Sequence, residues 1–279
     1  MYEKKRVYVL VKTYPTISNK YAELVCTAGV LEDGSWIRLY PMPFRLLEDD
    51  QKFKKYTWID VEVERNTADF RPESYRPNLS SVFVHNNTSK ADWEERRKII
   101  FKNKIIYKNL HKLIDESRKN PPNSLAIFKP TKILDFKVNE VEREWNKEKI
   151  ESLHNESLQL NLFKTVEEVD KEFKVVRKLP YKFSYNFIDD EGTESTLMIE
   201  DWEIGMLYFN CLKKSNGDEK KAIEDVKQKY FIDFVNKKDL YFFLGTTKAN
   251  HYVSKNPFII IGVFYPPKQS ENLQISFFD

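Results

Sequence analysis

Arg6-Val-Tyr-Val-Leu-Val-Lys12, Ala22-Glu-Leu-Val-Cys-Thr-Ala28 and Trp36-Ile-Arg-Leu-Tyr40 are the stretches whose reading decides the fold. Each is rich in β-branched and aromatic residues, which suit a pleated, half-buried surface. Asp33-Gly34 between the second and third supplies a tight-turn signal, and Pro41 and Pro43 end the run. Thr57-Trp-Ile-Asp-Val-Glu-Val-Glu64 adds a further strand, whose alternation puts Trp58 and Ile59 on opposite faces and aligns Asp60, Glu62 and Glu64. A short helical piece is expected within Arg45–Tyr56.

Short strands separated by turns over residues 1–87 predict a small β-barrel, OB-like or SH3-like. The period then changes. Ser89 offers an N-cap, and Trp93, Ile99, Ile100, Ile105, Ile106, Leu110, Leu113 and Ile114 recur at roughly helical spacing. Asn120-Pro-Pro-Asn123 stops that pattern, so 88–120 reads as a helical connector. From 121 to 279 the chain returns to strands at Leu125–Phe128, Lys132–Val138, Tyr181–Phe187, Ser195–Ile199, Leu240–Leu244 and Pro257–Phe264. Tyr181, Phe183, Tyr185 and Phe187 share one face by period two. A helical hairpin, Glu200–Leu212 and Glu219–Val235, is inserted around Ser215-Asn-Gly-Asp218. The expected class is α+β: two small β-barrel (OB-like) units, helical segments and that helical-hairpin insertion. Helices do not alternate regularly with strands, which disfavours a doubly wound parallel sheet.

Composition excludes several classes. Hydrophobic residues make up 41%, with 20 Phe and 15 Tyr, so there is ample material for a core. The two cysteines, Cys26 and Cys211, are too few for a disulfide scaffold and read as buried thiols. His85, His111, His154 and His251 are scattered and pair with no Cys at ligand spacing, so no metal and no cofactor is expected. The apolar run Val7–Val11 is too short for a signal peptide or a span, which predicts a cytoplasmic protein with no membrane partner. Lys and Arg number 46 against 43 Asp and Glu, a net charge of +3 that leaves open a local basic face. Gly is scarce at seven, and no dinucleotide or phosphate-loop fingerprint occurs. Gly245-Thr-Thr-Lys248 has the look of a phosphate-loop tail without its upstream glycine and is set aside.

Val7–Lys12, Cys26-Thr-Ala-Gly29 and Gly34-Ser-Trp-Ile-Arg38 together resemble the opening of prokaryotic dual-OB-fold (DuOB-like) proteins. Those begin with a strand, continue with Cys-x-Ala-Gly and then carry Gly-x-Trp-Ile-Arg-Pro. Here Arg38 is followed by Leu39-Tyr40-Pro41. The resemblance spans roughly the first 45 residues and implies two β-barrels with a nucleic-acid-binding role in a defence or genome-maintenance system.

The residues themselves suggest where such binding would sit. Trp36, Arg38 and Tyr40 fall on one face of their strand, with Arg45 beyond. Aromatic rings can stack bases while guanidinium groups follow phosphates; the alternative is core rings with a snorkelling arginine. Asp69-Phe-Arg71-Pro-Glu73-Ser-Tyr75-Arg76-Pro77 is the densest polar loop, and Arg71 and Arg76 are candidates to grip phosphate. Its alternative is a rigid turn held by Arg–carboxylate pairs. The expected function is nucleic-acid binding, DNA ahead of RNA, in bacterial antiviral defence or genome maintenance, without catalysis of its own. A second reading is a nucleic-acid- or nucleotide-processing enzyme using Asp69 and Glu73 with Arg71. A third is an interaction adaptor docking through its tail. Gln274-Ile-Ser-Phe-Phe278 resembles the pentapeptide by which bacterial proteins dock on the sliding clamp, with Gln274, Ile275, Phe277 and Phe278 as the contacts. Asp201 and Glu203 at a helix start are explained by the helix dipole alone.

Overall fold

The computed structural model describes residues 1–17, 25–43, 47–85, 92–160, 165 and 175–268. Five strands of the N-terminal region close into a barrel: β1 (Glu3–Lys12), β2 (Val25–Val30), β3 (Trp36–Met42), β4 (Trp58–Arg65) and β5 (Ser74–Pro77). β1 pairs with β2, β2 with β3, β3 in parallel with β5, β5 with β4, and β4 returns to β1. The short β6 (Phe83–Val84) extends β4 at one edge. Inside, Val7, Val9, Val25, Ile37, Leu39, Ile59, Val61 and Val63 form a sealed core, as period-two alternation requires.

The apolar run in β1 has no polar alternation because both of its faces are covered. Val7 and Val9 point into the barrel, whereas Tyr8, Leu10 and Val11 point outward into a second core. A register shift between Val9 and Val11 in the β1–β2 pairing puts Leu10 and Val11 on the same side. Within the expected helical piece Arg45–Tyr56, the described residues hold a 3-10 turn at Asp49–Gln51.

The stretch 88–120 is divided rather than continuous. Helix α1 (Trp93–Phe101) is capped by Asp92, which accepts from the backbone N–H of Glu94 and Glu95; Ser89, the cap expected from sequence, lies outside the described residues. Asn103 then adopts φ 52°, and β7 (Ile106–Tyr107) intervenes before helix α2 (Leu110–Ser117). Ile106 faces the inter-sheet core, which explains why an apolar spacing continuous with α1 does not mark one helix.

The C-terminal half holds two sheets. In one, β8 (Leu125–Phe128) is flanked by β7 in parallel and by β12 (Tyr241–Thr246) antiparallel, followed by β13 (Phe258–Phe264). In the other, β10 (Tyr181–Ile188) lies between β9 (Lys132–Glu140) and β11 (Glu194–Met198). A bridge from Ile199 to Ile260 joins them. Helix α3 (Lys147–Leu160) follows β9, while α4 (Trp202–Lys214), α5 (Glu219–Lys227), a π-turn (Gln228–Asp233) and α6 (Phe234–Lys237) form the helical hairpin. Phe183, Tyr185 and Phe187 are fully buried with Tyr208, Val226 and Phe242, so the aromatic face read from β10 is the floor of this core. No described helix is long and apolar enough to cross a membrane.

Barrel and C-terminal half share an interface. Tyr8, Leu10, Val11, Ala28 and Val30 pack against Leu125, Ile127, Phe243, Ile261 and Phe264. Lys55, 3% exposed, sits 3.3 Å from Asp201 Oδ2 and 3.1 Å from Glu203 Oε2. Burial opposes charge on Lys55, but the two carboxylates outweigh it and hold its pKa well above the ordinary value. Burial acts to raise Asp201 while Lys55 counters it. We take the ammonium–carboxylate form as the folded state, because Asp201 is held from two sides: its Oδ1 also accepts from the backbone N–H of Glu203, capping α4.

Candidate nucleic-acid interface

Between barrel and C-terminal half lies a cleft of about 840 Å³. Its walls come from the outward face of β2 and β3 (Cys26, Arg38, Tyr40), the β1–β2 connection (Thr13, Tyr14, Thr16), the β4–β5 connection (Asn66, Ala68, Asp69, Arg71) and the end of β12 with the turn beyond it (Thr246, Thr247, Lys248). Glu64, Arg76 and Glu200 also line it.

Along β3, Ile37 and Leu39 enter the barrel core, leaving Trp36, Arg38 and Tyr40 on the opposite face, as the alternation predicts. Their fates differ. Trp36 is covered: its ring lies edge-on to Phe243 at 6.3 Å and beneath the Lys104 ammonium at 4.4 Å, and it does not line the cleft. Arg38 is 2% exposed; its Nη2 donates to Ser124 O at 3.3 Å and Ser124 Oγ at 3.1 Å and stands 3.5 Å from Glu73 Oε1. Burial lowers its pKa, though a guanidinium stays charged. Nη1 has no partner within the protein. Tyr40 is half-buried in the cleft wall.

The polar loop is tightly built. Arg71 Nε donates to Asp69 Oδ1 at 2.9 Å, Nη2 to Asp69 Oδ2 at 2.5 Å, and Nη1 crosses to Thr246 O at 2.5 Å. Ser74 Oγ donates to Asp69 Oδ2 at 2.9 Å. Burial would raise Asp69, but the Arg71 bonds prevail and bring its pKa down to about 2. Arg65 donates to the carbonyls of Asn66, Asp69, Arg71 and Ser74, clamping the loop from beneath. Glu73 accepts from Ser124 Oγ and is absent from the cleft lining. Asp69 and Glu73 are thus each engaged by different partners. Arg76 on β5 is exposed, opposite Glu64 in register, with no ion pair within 4.0 Å among the described residues.

The structure therefore brings Arg38, Tyr40, Arg71 and Arg76 to one cleft and sends Trp36 elsewhere. Arg45, and the tail contacts Gln274, Ile275, Phe277 and Phe278, lie outside the described residues.

Several lining residues carry no local sequence signal. Thr246 and Lys248, set aside as an incomplete phosphate loop, face the same space as the arginines. Thr246 Oγ1 lies 2.7 Å from His251 Nδ1, and His251 Nε2 lies 2.8 Å from Ser117 O. A carbonyl only accepts, so Nε2 carries the proton and the Thr246 hydroxyl donates to Nδ1. Burial lowers the His251 pKa, favouring this neutral form. Tyr14 rests against α4 because Gly205 leaves room: a Cβ there would lie 2.2 Å from the Tyr14 ring. The Tyr14 hydroxyl donates to Arg177 O at 2.7 Å. The Glu200 carboxylate has no hydrogen-bond or ion-pair partner among the described residues, and burial raises its pKa. The acids aligned on β4 separate: Asp60 is held by Arg6 at 2.9 Å, Lys4 at 3.2 Å and His85 at 3.0 Å, and only Glu64 reaches the cleft. Among the described residues, no three His, Cys, Asp or Glu side chains form a group able to hold a metal ion.

Comparison with curated proteins finds no match. Two family models match, described as Domain of unknown function (DUF8758) over residues 3–102 and Domain of unknown function (DUF8757) over residues 107–279. The first range ends just after α1 and the second begins within β7, so the barrel with α1 falls in the first and, apart from Ile106, both remaining sheets fall in the second. With more than half of its length in that second match, the chain belongs to the DUF8757 family.

Proposed function

We propose that this protein binds single-stranded nucleic acid in the cleft between its barrel and C-terminal half, without catalysis of its own. The observation that carries this is the identity of the walls. The circuit β1-β2-β3-β5-β4-β1, with β3 and β5 parallel, supports an OB-like barrel. Barrels of that kind engage oligonucleotides on the face of strands 2 and 3, between the loop joining strands 1 and 2 and the loop joining strands 4 and 5. Those three segments supply Cys26, Arg38, Tyr40, Tyr14, Asp69 and Arg71 to the cleft.

The chemistry agrees. Arg76 and Lys248 offer charge for phosphates, and the Tyr14 and Tyr40 rings offer surfaces for bases. A space of about 840 Å³ lies in the range of about 300–1,000 Å³ that encloses a small ligand, which suits an unpaired strand rather than a duplex. The enzymatic alternative has less support, since Asp69 and Glu73 are spent on Arg71, Ser74, Ser124 and Arg38.

Ultraviolet crosslinking of bound single-stranded DNA and RNA, followed by peptide mapping, tests the proposal. Crosslinks on the peptides bearing Tyr14 and Tyr40, competed by unlabelled single strands and poorly by duplex, are expected. Crosslinks confined to other faces, or no binding of either polymer, would reject it.

A further inference from the structure

Two aromatic rings stand open to solvent beside the cleft without lining it. Phe70 lies in the β4–β5 connection between Asp69 and Arg71, which both face the cleft. Tyr252 lies in the connection from β12 to β13, whose Thr246, Thr247, Lys248 and Ala249 also face it. Barrel and C-terminal half thus contribute one ring each. The two ring centroids are 4.9 Å apart at 34°, and both rings meet the buried His251, at 5.0 Å and 4.6 Å. Phe70 nonetheless stays 40% exposed, Tyr252 56% and the adjoining Val253 83%.

Both rings are carried on pinned backbone. Arg65 donates to the carbonyls of Asp69 and Arg71, on either side of Phe70. Arg118 donates to the carbonyls of His251 and Ser254, which bracket Tyr252 and Val253. Arg71 ties the two connections together through Thr246 O. Rings ordered before a partner arrives spare it the entropy of ordering them. Charge and area narrow the partner. From Thr246 to Pro257 the chain carries Lys248 and Lys255, both exposed, and no acid, which favours an anionic partner. Three open side chains fall far short of the about 20–30 residues that a stable protein interface uses on each side, whereas an unpaired base covers one or two rings. Resting on the single-strand reading above, we infer that Phe70 and Tyr252 form an external stacking site at the rim of the cleft, which takes a base of the strand as it leaves. The site accepts any base, because each presents a flat π-face.

The test is fluorescence anisotropy of the full chain with labelled homothymidine strands of increasing length, across the about 4–16 nucleotides that one OB-type fold engages. Affinity should step up once a strand spans both cleft and rim. Phe70→Ala/Tyr252→Ala should remove that step. It should cost at least about fivefold on the longest strand, the lower end for one base–aromatic stack, and leave the shortest strands bound as by the parent. Phe70→Leu/Tyr252→Leu, apolar but without rings, should behave as the alanine pair. In the unaltered chain, ultraviolet crosslinking should place long strands, and not the shortest, on the peptides bearing Phe70 and Tyr252, a readout that stands even if the variants fold poorly. Unchanged affinity in the alanine pair, equal losses at every length, full binding by the leucine pair or absence of those crosslinks would overturn the rim site while leaving single-strand binding in the cleft intact. No binding at any length would overturn both.

Discussion

Arg76 and Lys248 stand on opposite sides of the barrel interface, exposed, lining the same cleft and free of ion pairs among the described residues. Replacing both with alanine should therefore leave stability within about 0.5 kcal/mol of the parent and act on binding through phosphate charge. Each phosphate contact to a single strand contributes about 0.7 to the slope of log affinity against log salt. Two contacts give a slope difference of about 1.4. Raising salt from about 50 mM to about 200 mM changes its logarithm by about 0.6, so the parent should lose about sevenfold more affinity than the double variant over that range. Fluorescence anisotropy of a labelled single strand at several salt concentrations measures both slopes. Lys213→Ala/Lys214→Ala, at the far end of α4, is the matched control and should leave the slope unchanged. An unaltered slope in Arg76→Ala/Lys248→Ala, or an equal drop in the control, would refute a strand path through the cleft.

Two further outcomes concern the framework that holds the cleft. Lys55→Met leaves Asp201, which is 0% exposed, without its cation, at a cost of about 3–5 kcal/mol. At about 2.1 cal/mol/K per residue, unfolding this chain as one unit carries about 0.6 kcal/mol/K, so the melting temperature should fall by about 5–8 °C. Lys55→Met/Asp201→Asn, which keeps an N-cap and removes the stranded charge, should recover part of that loss, and a single variant melting with the parent in calorimetry would count against the inter-half ion pair. Asp69, with its carboxyl depressed to about 2, contributes stability present above its ordinary pKa and lost as pH falls through the folded value. That contribution is about 2 kcal/mol at neutral pH and should fade between about pH 4 and pH 2. Asp69→Asn should unfold at lower urea near neutrality, with a gap that closes across that window; a constant gap would argue against the Arg71 pairing as its source.

Strand identity, turn positions and the shared face of Trp36, Arg38 and Tyr40 follow from local pattern, because successive side chains on a pleated backbone must alternate. The aromatic face of β10 and the acids at the start of α4 are legible for the same reason: each depends on neighbours a few residues away. Burial along that shared face is another matter. Trp36 is covered by Phe243, and Arg38 by Ser124, partners contributed by segments that no spacing rule connects to β3. The break between α1 and α2 depends on β7 finding β8, again a distant pairing.

The cleft itself belongs wholly to the tertiary structure. Arg71 reaches the Thr246 carbonyl across 175 positions, Lys55 reaches Asp201 across 146, and Gly205 makes room for Tyr14. A net charge of +3 says nothing of which cations are neutralised, as Arg71 is, and which remain available, as Arg76 and Lys248 do. Backbone geometry writes strands and caps into short stretches of sequence, whereas the meeting of two halves depends on which apolar faces each leaves uncovered. Only that meeting turns an open barrel face into a cleft walled from both sides.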